Sequence, residues 1–290
     1  MVPVQTEAPT TAAAPKLPLS LGSISKAAAL IGLLAALYAP VLAGLIADWR
    51  NDPNLSQGLL IPPLALYIAW LRRRITLAEP VDGDRRALAL VICGCGLLLA
   101  GKLGAEFFLS RISLVLVLAG LIGTFWGKRR LKTLAFPLLL LTTSIPLPVV
   151  VYNQLAAPLQ LFASGCATRA AQWLGVSVYQ DGNIIHLARL SLGVEEACSG
   201  LNSLSALTVT SLLLGYLCCV RFRARLTLFL ASIPLSIAVN ILRITGTAVI
   251  ADYHEEFAMG FYHSFSGWLI FLVGFGLLYA AAQLVHRFLD

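Results

Sequence analysis

Charge is scarce in this chain. Asp, Glu, Lys and Arg make up 12% of its 290 residues, about half the roughly 25% of an ordinary soluble domain. Too few polar groups remain to coat a surface facing water, while 58% of the residues are hydrophobic and the mean hydropathy is +0.83. A soluble globular class is therefore excluded. Cysteine is sparse as well: there are six, with no CxxC pair and no histidine at metal-ligand spacing, so the usual zinc and dithiol patterns are missing. The sequence implies neither a metal nor an organic cofactor. It shows no internal repeat, and residues 1–24, rich in Ala, Pro and Thr, lack the ordered regions of a signal peptide. That stretch reads as a disordered N-terminal tail, leaving 25–290 as a single transmembrane domain.

What the chain has in place of charge is long apolar runs. Stretches of about 18 residues or more recur, enough to cross roughly 30 Å of hydrocarbon as helix. The expected fold is all-α, a polytopic transmembrane helix bundle of about eight spans, near 26–48, 58–75, 87–104, 112–127, 131–151, 203–220, 226–249 and 264–285. The net charge of +7 does not point to nucleic acid, because the cations cluster between the spans. With the N-terminus inside, 15 of the 21 Lys and Arg fall on the cytoplasmic side: Lys16, Lys26, Arg72–Arg74, Arg85, Arg86, the Lys128–Lys132 loop, Arg221, Arg223, Arg225 and Arg287. Cation-rich loops resist translocation, and this asymmetry predicts a multi-pass membrane protein with a cytoplasmic N-terminus.

The same topology puts residues 152–202 on the extracytoplasmic side. Leu155, Leu159, Phe162, Cys166 and Trp173 recur at mostly helical spacing, which predicts an amphipathic helix over 153–175 lying in the interface. Alternation through Gly175–Tyr179, followed by a resumed apolar pattern at Ile184–Leu187, predicts a short hairpin turning at Asp181-Gly182.

Three places interrupt the apolar pattern where water meets lipid. The first is Val194–Ser203, with Cys198 between Glu195-Glu196-Ala197 and Ser199-Gly200-Leu201-Asn202. Small residues permit close approach to a thiol, and the positive end of the following helix favours its thiolate; a helix cap with an incidental cysteine is the plainer reading. The second is Arg243 in Asn240-Ile-Leu-Arg-Ile-Thr-Gly-Thr247. An arginine at mid-bilayer depth costs about 2.5 kcal/mol or more, and Asn240 and Thr247 share its face; otherwise it is a snorkelling or structurally paired cation. The third is His263 in Gly260–Trp268, a proton carrier near neutral pH or a member of an interfacial aromatic belt. The topology brings all three to one face. A thiolate, an imidazole and a fixed guanidinium are the parts that acyl transfer requires.

At these residues the chain resembles the exosortase/archaeosortase family of membrane transpeptidases: EEACSGLNSL around Cys198, NILRITG around Arg243 and FYHSFSGW around His263. The similarity extends to SQGLLIPPLALYIAWLRRR near 56–74, PLPVVVYNQLAAPLQ near 146–160 and LGVSVYQDGNIIHL near 174–187, so it covers about 55–285. Gln57 stands where many such sequences have histidine. The resemblance implies a thiol protease that cleaves C-terminal sorting signals of PEP-CTERM type from exported proteins. Its partners would be membrane lipid and substrates ending in a short motif, a transmembrane helix and a basic cluster. Cys198 would be the nucleophile, His263 the proton carrier and Arg243 the oxyanion or substrate clamp, with Glu195, Glu196, Asn202 and Asn240 in support. Two other classes compete: a transporter using Arg243 as an ion or substrate site, and a non-catalytic subunit of an export or polysaccharide assembly. Neither needs a nucleophilic thiol.

Overall fold

The computed structural model describes residues 21–188, 190–193, 201–254 and 261–289, without the side chains of 21–24, 26, 27 and 261–266. The chain divides into two units, Met1–Ala43 and Gly44–Asp290. The first contains, among the described residues, only the earlier part of helix α1 (Leu21–Asn51). The second holds everything that follows. Among the described residues seven helices are long and apolar enough to cross a membrane, and the fold is an all-α polytopic membrane bundle.

The longest of these helices accounts for two of the expected spans. Helix α5 (Phe107–Thr142) runs for 36 residues, about 54 Å if straight. It is not straight. Arg111 pairs with Asp48 at 2.5 Å, while the indole N–H of Trp49 donates to the Ser144 carbonyl at 2.9 Å. Residues 33 positions apart thus reach adjacent residues of α1, so the chain doubles back between them. The reversal is at Gly127 (φ 90°, ψ 170°), and Leu131 beyond it lies back against Gly123. The seven apolar helices thus agree with the expected bundle of about eight spans, two of which lie within the single folded-back helix α5. The expected fifth span, 131–151, ends earlier, at Thr142, because Pro146 and Pro148 break the helix before α6 begins.

Each antiparallel partner packs closely. Helix α4 (Leu88–Leu103) lies along the first half of α5, where Gly101 meets Ser110, Gly94 meets Val117 and Gly120 meets Val91. Before α4, the 3-10 helix Pro53–Leu59 leads into α2 (Ile61–Leu71) and the short α3 (Arg73–Ala78). Ile61, Ala65 and Ile68 of α2 form a core with Leu140 of α5, extended by Val209 and Leu213 of α7 (Leu201–Cys218). Helix α8 (Phe222–Tyr253) and helix α9 (Phe261–Leu289) complete the bundle, joining Leu207 of α7 with Leu228, Leu278 and Ala282 in a second core.

Between α5 and α7 the chain forms α6 (Val149–Trp173) and a small sheet. The helix starts four residues before the expected 153. Its large apolar residues, Leu155, Phe162 and Trp173, are exposed, and it packs through Ala156, Ala163, Ala167 and Ala171. That division suits a helix whose bulky face meets lipid. The expected hairpin is one strand short of the structure. Strands β1 (Val178–Asp181), β2 (Ile184–Leu187) and β3 (Ser191–Gly193) form an antiparallel sheet in that order. The turn falls at Gly182-Asn183, one residue later than expected, because Asp181 pairs with Ile184 and Gly182 takes φ +59°. The sheet and α6 close a third core on the far part of α8, through Val178, Ile185, Ile244 and Ala248.

Candidate functional site

The core shared by α7, α8 and α9 fixes which residues share an end of the bundle. A methyl on Gly274 of α9 would lie 3.0 Å from Leu207 of α7 and 3.5 Å from Val239 of α8. From that common level, Leu201 is six residues away on α7, Arg243 four on α8 and Gly267 seven on α9. At 1.5 Å per residue these are rises of about 9, 6 and 10 Å. All three lie toward the same end, because α7 and α9 both run antiparallel to α8. Gly215 near the end of α7 meets Arg225 near the start of α8, and Val239 and Arg243 meet Gly274 and Gly267 in reverse order.

Arg243 is half-buried, and its guanidinium lies over Gly267. A methyl there would sit 3.3 Å from Nη2 and 3.5 Å from Cζ. The missing side chain at 267 is what lets the planar group rest against α9. His263 is four residues earlier on that helix, one turn toward its start and on the same face. Asn240, three residues before Arg243, is 1% exposed. The Thr247 hydroxyl donates to the Arg243 carbonyl at 2.9 Å, so it serves the helix backbone.

The start of α7 is held from outside by the 3-10 helix. The Asn202 side-chain amide donates to Oδ1 of Asn54 at 2.5 Å. Gln57 Nε2 donates to the Ser205 hydroxyl at 2.7 Å, and that hydroxyl donates on to the Asn202 carbonyl at 3.0 Å. The 3-10 helix is itself fixed. Asp52 caps it by accepting from the Asn54 backbone N–H at 2.8 Å, and Gly58 leaves room for the Trp49 indole. Beside Asn54 opens a recess of about 430 Å³, with Asp48, Glu106 and Arg111 on one wall and Pro148 and Tyr152 on another.

Arg243, Asn240, Asn202 and the helical position of His263 are thus brought to one end of the three-helix core. Cys198, Glu195 and Glu196 lie outside the described residues. Three residues had no role in the sequence reading: Asn54, Gly267 and Ser205. The Asp52-Pro53 cap was the one local signal for the first; the other two acquire a role only through contacts distant in sequence. Among the described residues no group of three His, Cys, Asp or Glu side chains is placed to hold a metal ion.

A family model described as transmembrane exosortase matches residues 49–280. No curated protein and no solved structure matches the chain.

Proposed function

Since the chain belongs to the transmembrane exosortase family, we propose that it is a cysteine transpeptidase acting at the membrane surface on C-terminal sorting signals of exported proteins. The observation that carries this reading is the packing of the Arg243 guanidinium on α9 one turn from His263, at the end of the bundle where α7 begins. Three peptide units separate Cys198 from Leu201, so covalent geometry keeps its Cα within about 11 Å of Leu201's. The basic clusters at the other end of the bundle support a reading in which this end faces the extracytoplasmic side of an inner membrane.

The reaction follows from the groups. The Cys198 thiolate adds to the scissile carbonyl carbon, forming a C–S bond and placing negative charge on the carbonyl oxygen. Arg243 stabilises that oxygen; a preorganised donor of this kind is worth about 10²–10³ in rate. As the C–N bond breaks, His263 delivers a proton to the departing amine, and the membrane-embedded tail leaves. The thioester is then attacked by an amine, His263 takes the proton back, and Cys198 is regenerated. Glu195 and Glu196 orient His263 or Arg243 in this scheme. Asn202 and Asn240 hold the two helices that present the reacting groups.

A direct test incubates membranes containing the chain with a substrate bearing the motif, helix and basic cluster, then quenches in acid. The expected result is a hydroxylamine-labile adduct on Cys198 with the mass of the substrate's upstream fragment. Processing without such an adduct would overturn the thioacyl mechanism. Transport of a solute with no processing would favour the competing transporter class.

The contact at position 267 gives a second expectation. Gly267→Ala inserts a methyl 3.3 Å from the guanidinium, which must shift by a few tenths of an ångström. Positional errors of about 1 Å in such groups cost about 100-fold, so a loss of about 10-fold in turnover is expected, with KM little changed. Turnover equal to the parent's would mean that Arg243 does not act from this position.

A further inference from the structure

At the end of the bundle opposite the candidate site, the reversal at Gly127 forms one wall of a cleft of about 490 Å³. Lys128, Arg129 and Lys132 line it, together with Asp82 and Asp84. None of the three cations forms an ion pair with a described carboxylate, although two carboxylates share the cleft with them. The Asp84 side chain accepts instead from the Arg86 backbone N–H at 2.9 Å, capping the short turn that leads into α4. Three cations therefore line the recess against two carboxylates, a formal excess of one positive charge, and none of the three is tied up in an ion pair with a described carboxylate.

The recess is also rigidly framed. Asp82 and Gly127 pair as a parallel bridge, and the Asp84 N–H donates to the Gly123 carbonyl at 3.1 Å. Arg130 is 8% exposed and donates to the Glu79 carbonyl at 2.8 and 3.1 Å, tying the end of α3 to the reversal. Large apolar side chains stand exposed around the same turn: Phe125 at 56%, Trp126 at 48% and Val81 at 53%. Tryptophan at the end of a membrane-crossing helix, beside a basic loop, suits the headgroup layer of a bilayer. A cationic recess rimmed by interfacial aromatics suits a ligand with an anionic head and apolar tails.

We propose that this cleft binds the phosphate of an anionic phospholipid headgroup. Lys128, Arg129 and Lys132 would contact the phosphate oxygens, while the acyl chains lie along Phe125 and Trp126. This differs from a diffuse attraction between basic loops and a negative leaflet, because it assigns the effect to three cations in one recess. It is also independent of the transpeptidase reading, since no residue of the candidate site takes part.

The test uses the full chain in a neutral detergent, titrated in parallel with phosphatidylglycerol, phosphatidylcholine and inorganic phosphate. Binding is read from the rise in melting temperature, since a ligand that binds only the folded state stabilises it by mass action. One variant carries Lys128→Gln, Arg129→Gln and Lys132→Gln. A control removes the same charge from exposed positions outside the cleft, by Arg74→Gln, Arg223→Gln and Arg287→Gln. A cation held against the headgroup is worth about 5-fold in affinity, or about 1 kcal/mol, so the cleft variant is expected to weaken phosphatidylglycerol binding by about 100-fold and the control, whose cations lie outside the cleft, by less than about 3-fold. Both variants should melt like the parent without lipid. Equal losses in the two would overturn the proposal in favour of diffuse attraction. Saturation by inorganic phosphate at the same concentration as lipid would overturn the lipid assignment. No preference for phosphatidylglycerol over phosphatidylcholine would end it altogether.

Discussion

Cys198→Ala is expected to abolish processing of a tail-bearing substrate, lowering turnover by about 10⁴-fold or more while leaving the melting temperature unchanged. Cys198→Ser should be nearly as inactive, because a serine hydroxyl in a site built around a thiol is far less ionised at neutral pH. Loss of the nucleophile removes the covalent path, and the remaining groups then contribute only binding and electrostatic stabilisation. The fold should survive. The start of α7 is fastened by Asn202 to Asn54 and by Ser205 to Gln57, and neither bond involves residue 198. Cys166 is the matched control: it is a half-buried thiol on α6 with no part in the proposed chemistry, so Cys166→Ala should keep turnover within about 2-fold. Processing assayed by mass of the substrate's new C-terminus checks both. A Cys198→Ala chain that still processes substrate would show that the thiol is incidental to a helix cap, as the plainer sequence reading has it.

How much of this was legible in the sequence depends on whether the signal was local. The membrane class and the helical bundle were legible because apolar length and loop charge are properties of contiguous residues. Lys128-Arg129-Arg130-Lys132 marked the reversal of α5 without any knowledge of Gly127's conformation. The end of the fifth span was misplaced because apolar residues resume at Ile145, Leu147 and Val149–Val151 after Thr142-Thr143-Ser144, so the hydropathy runs on past the point where the hydroxyl residues and two prolines end the helix. Strand β3 was missed because Ser191-Leu192-Gly193 carries no alternation of its own; its hydrogen bonds with β2 make it a strand. On α6 the bulky residues disclosed the helix, yet the packing face is the inconspicuous row of alanines. Arg243 was visible as an expensive cation in an apolar run. Its seat on Gly267 was not, since a glycine's role there is defined by a side chain 24 residues away in sequence. Asn54 and Gln57 were hidden for the same reason: each meets its partner 148 residues along the chain.

The second large effect is expected at the reversal itself, where Gly127→Ala should destabilise the chain by at least about 3 kcal/mol. Two costs combine. A backbone at φ 90° and ψ 170° lies in a region essentially reserved for glycine, which costs another residue about 1–3 kcal/mol. The added methyl would also sit 2.1 Å from the Asp82 carbonyl oxygen, a backbone atom held in place by the bridge it forms. Neither side of that bridge can yield without loosening the turn that Arg130 clamps to Glu79. Relaxation toward a regular helix is the worse alternative: a straight run over 107–142 of about 54 Å exceeds the roughly 30 Å of hydrocarbon and would draw Lys128, Arg129 and Lys132 toward lipid. Gly96→Ala supplies the comparison, since that glycine lies inside α4 with nothing within 4 Å of the added carbon. Alanine there should be neutral or stabilising by up to about 1 kcal/mol. Thermal unfolding of both variants in detergent checks the contrast. If Gly127→Ala melts within a degree or two of the parent, the chain does not turn at Gly127 in the way described, and the cleft built on that turn goes with it.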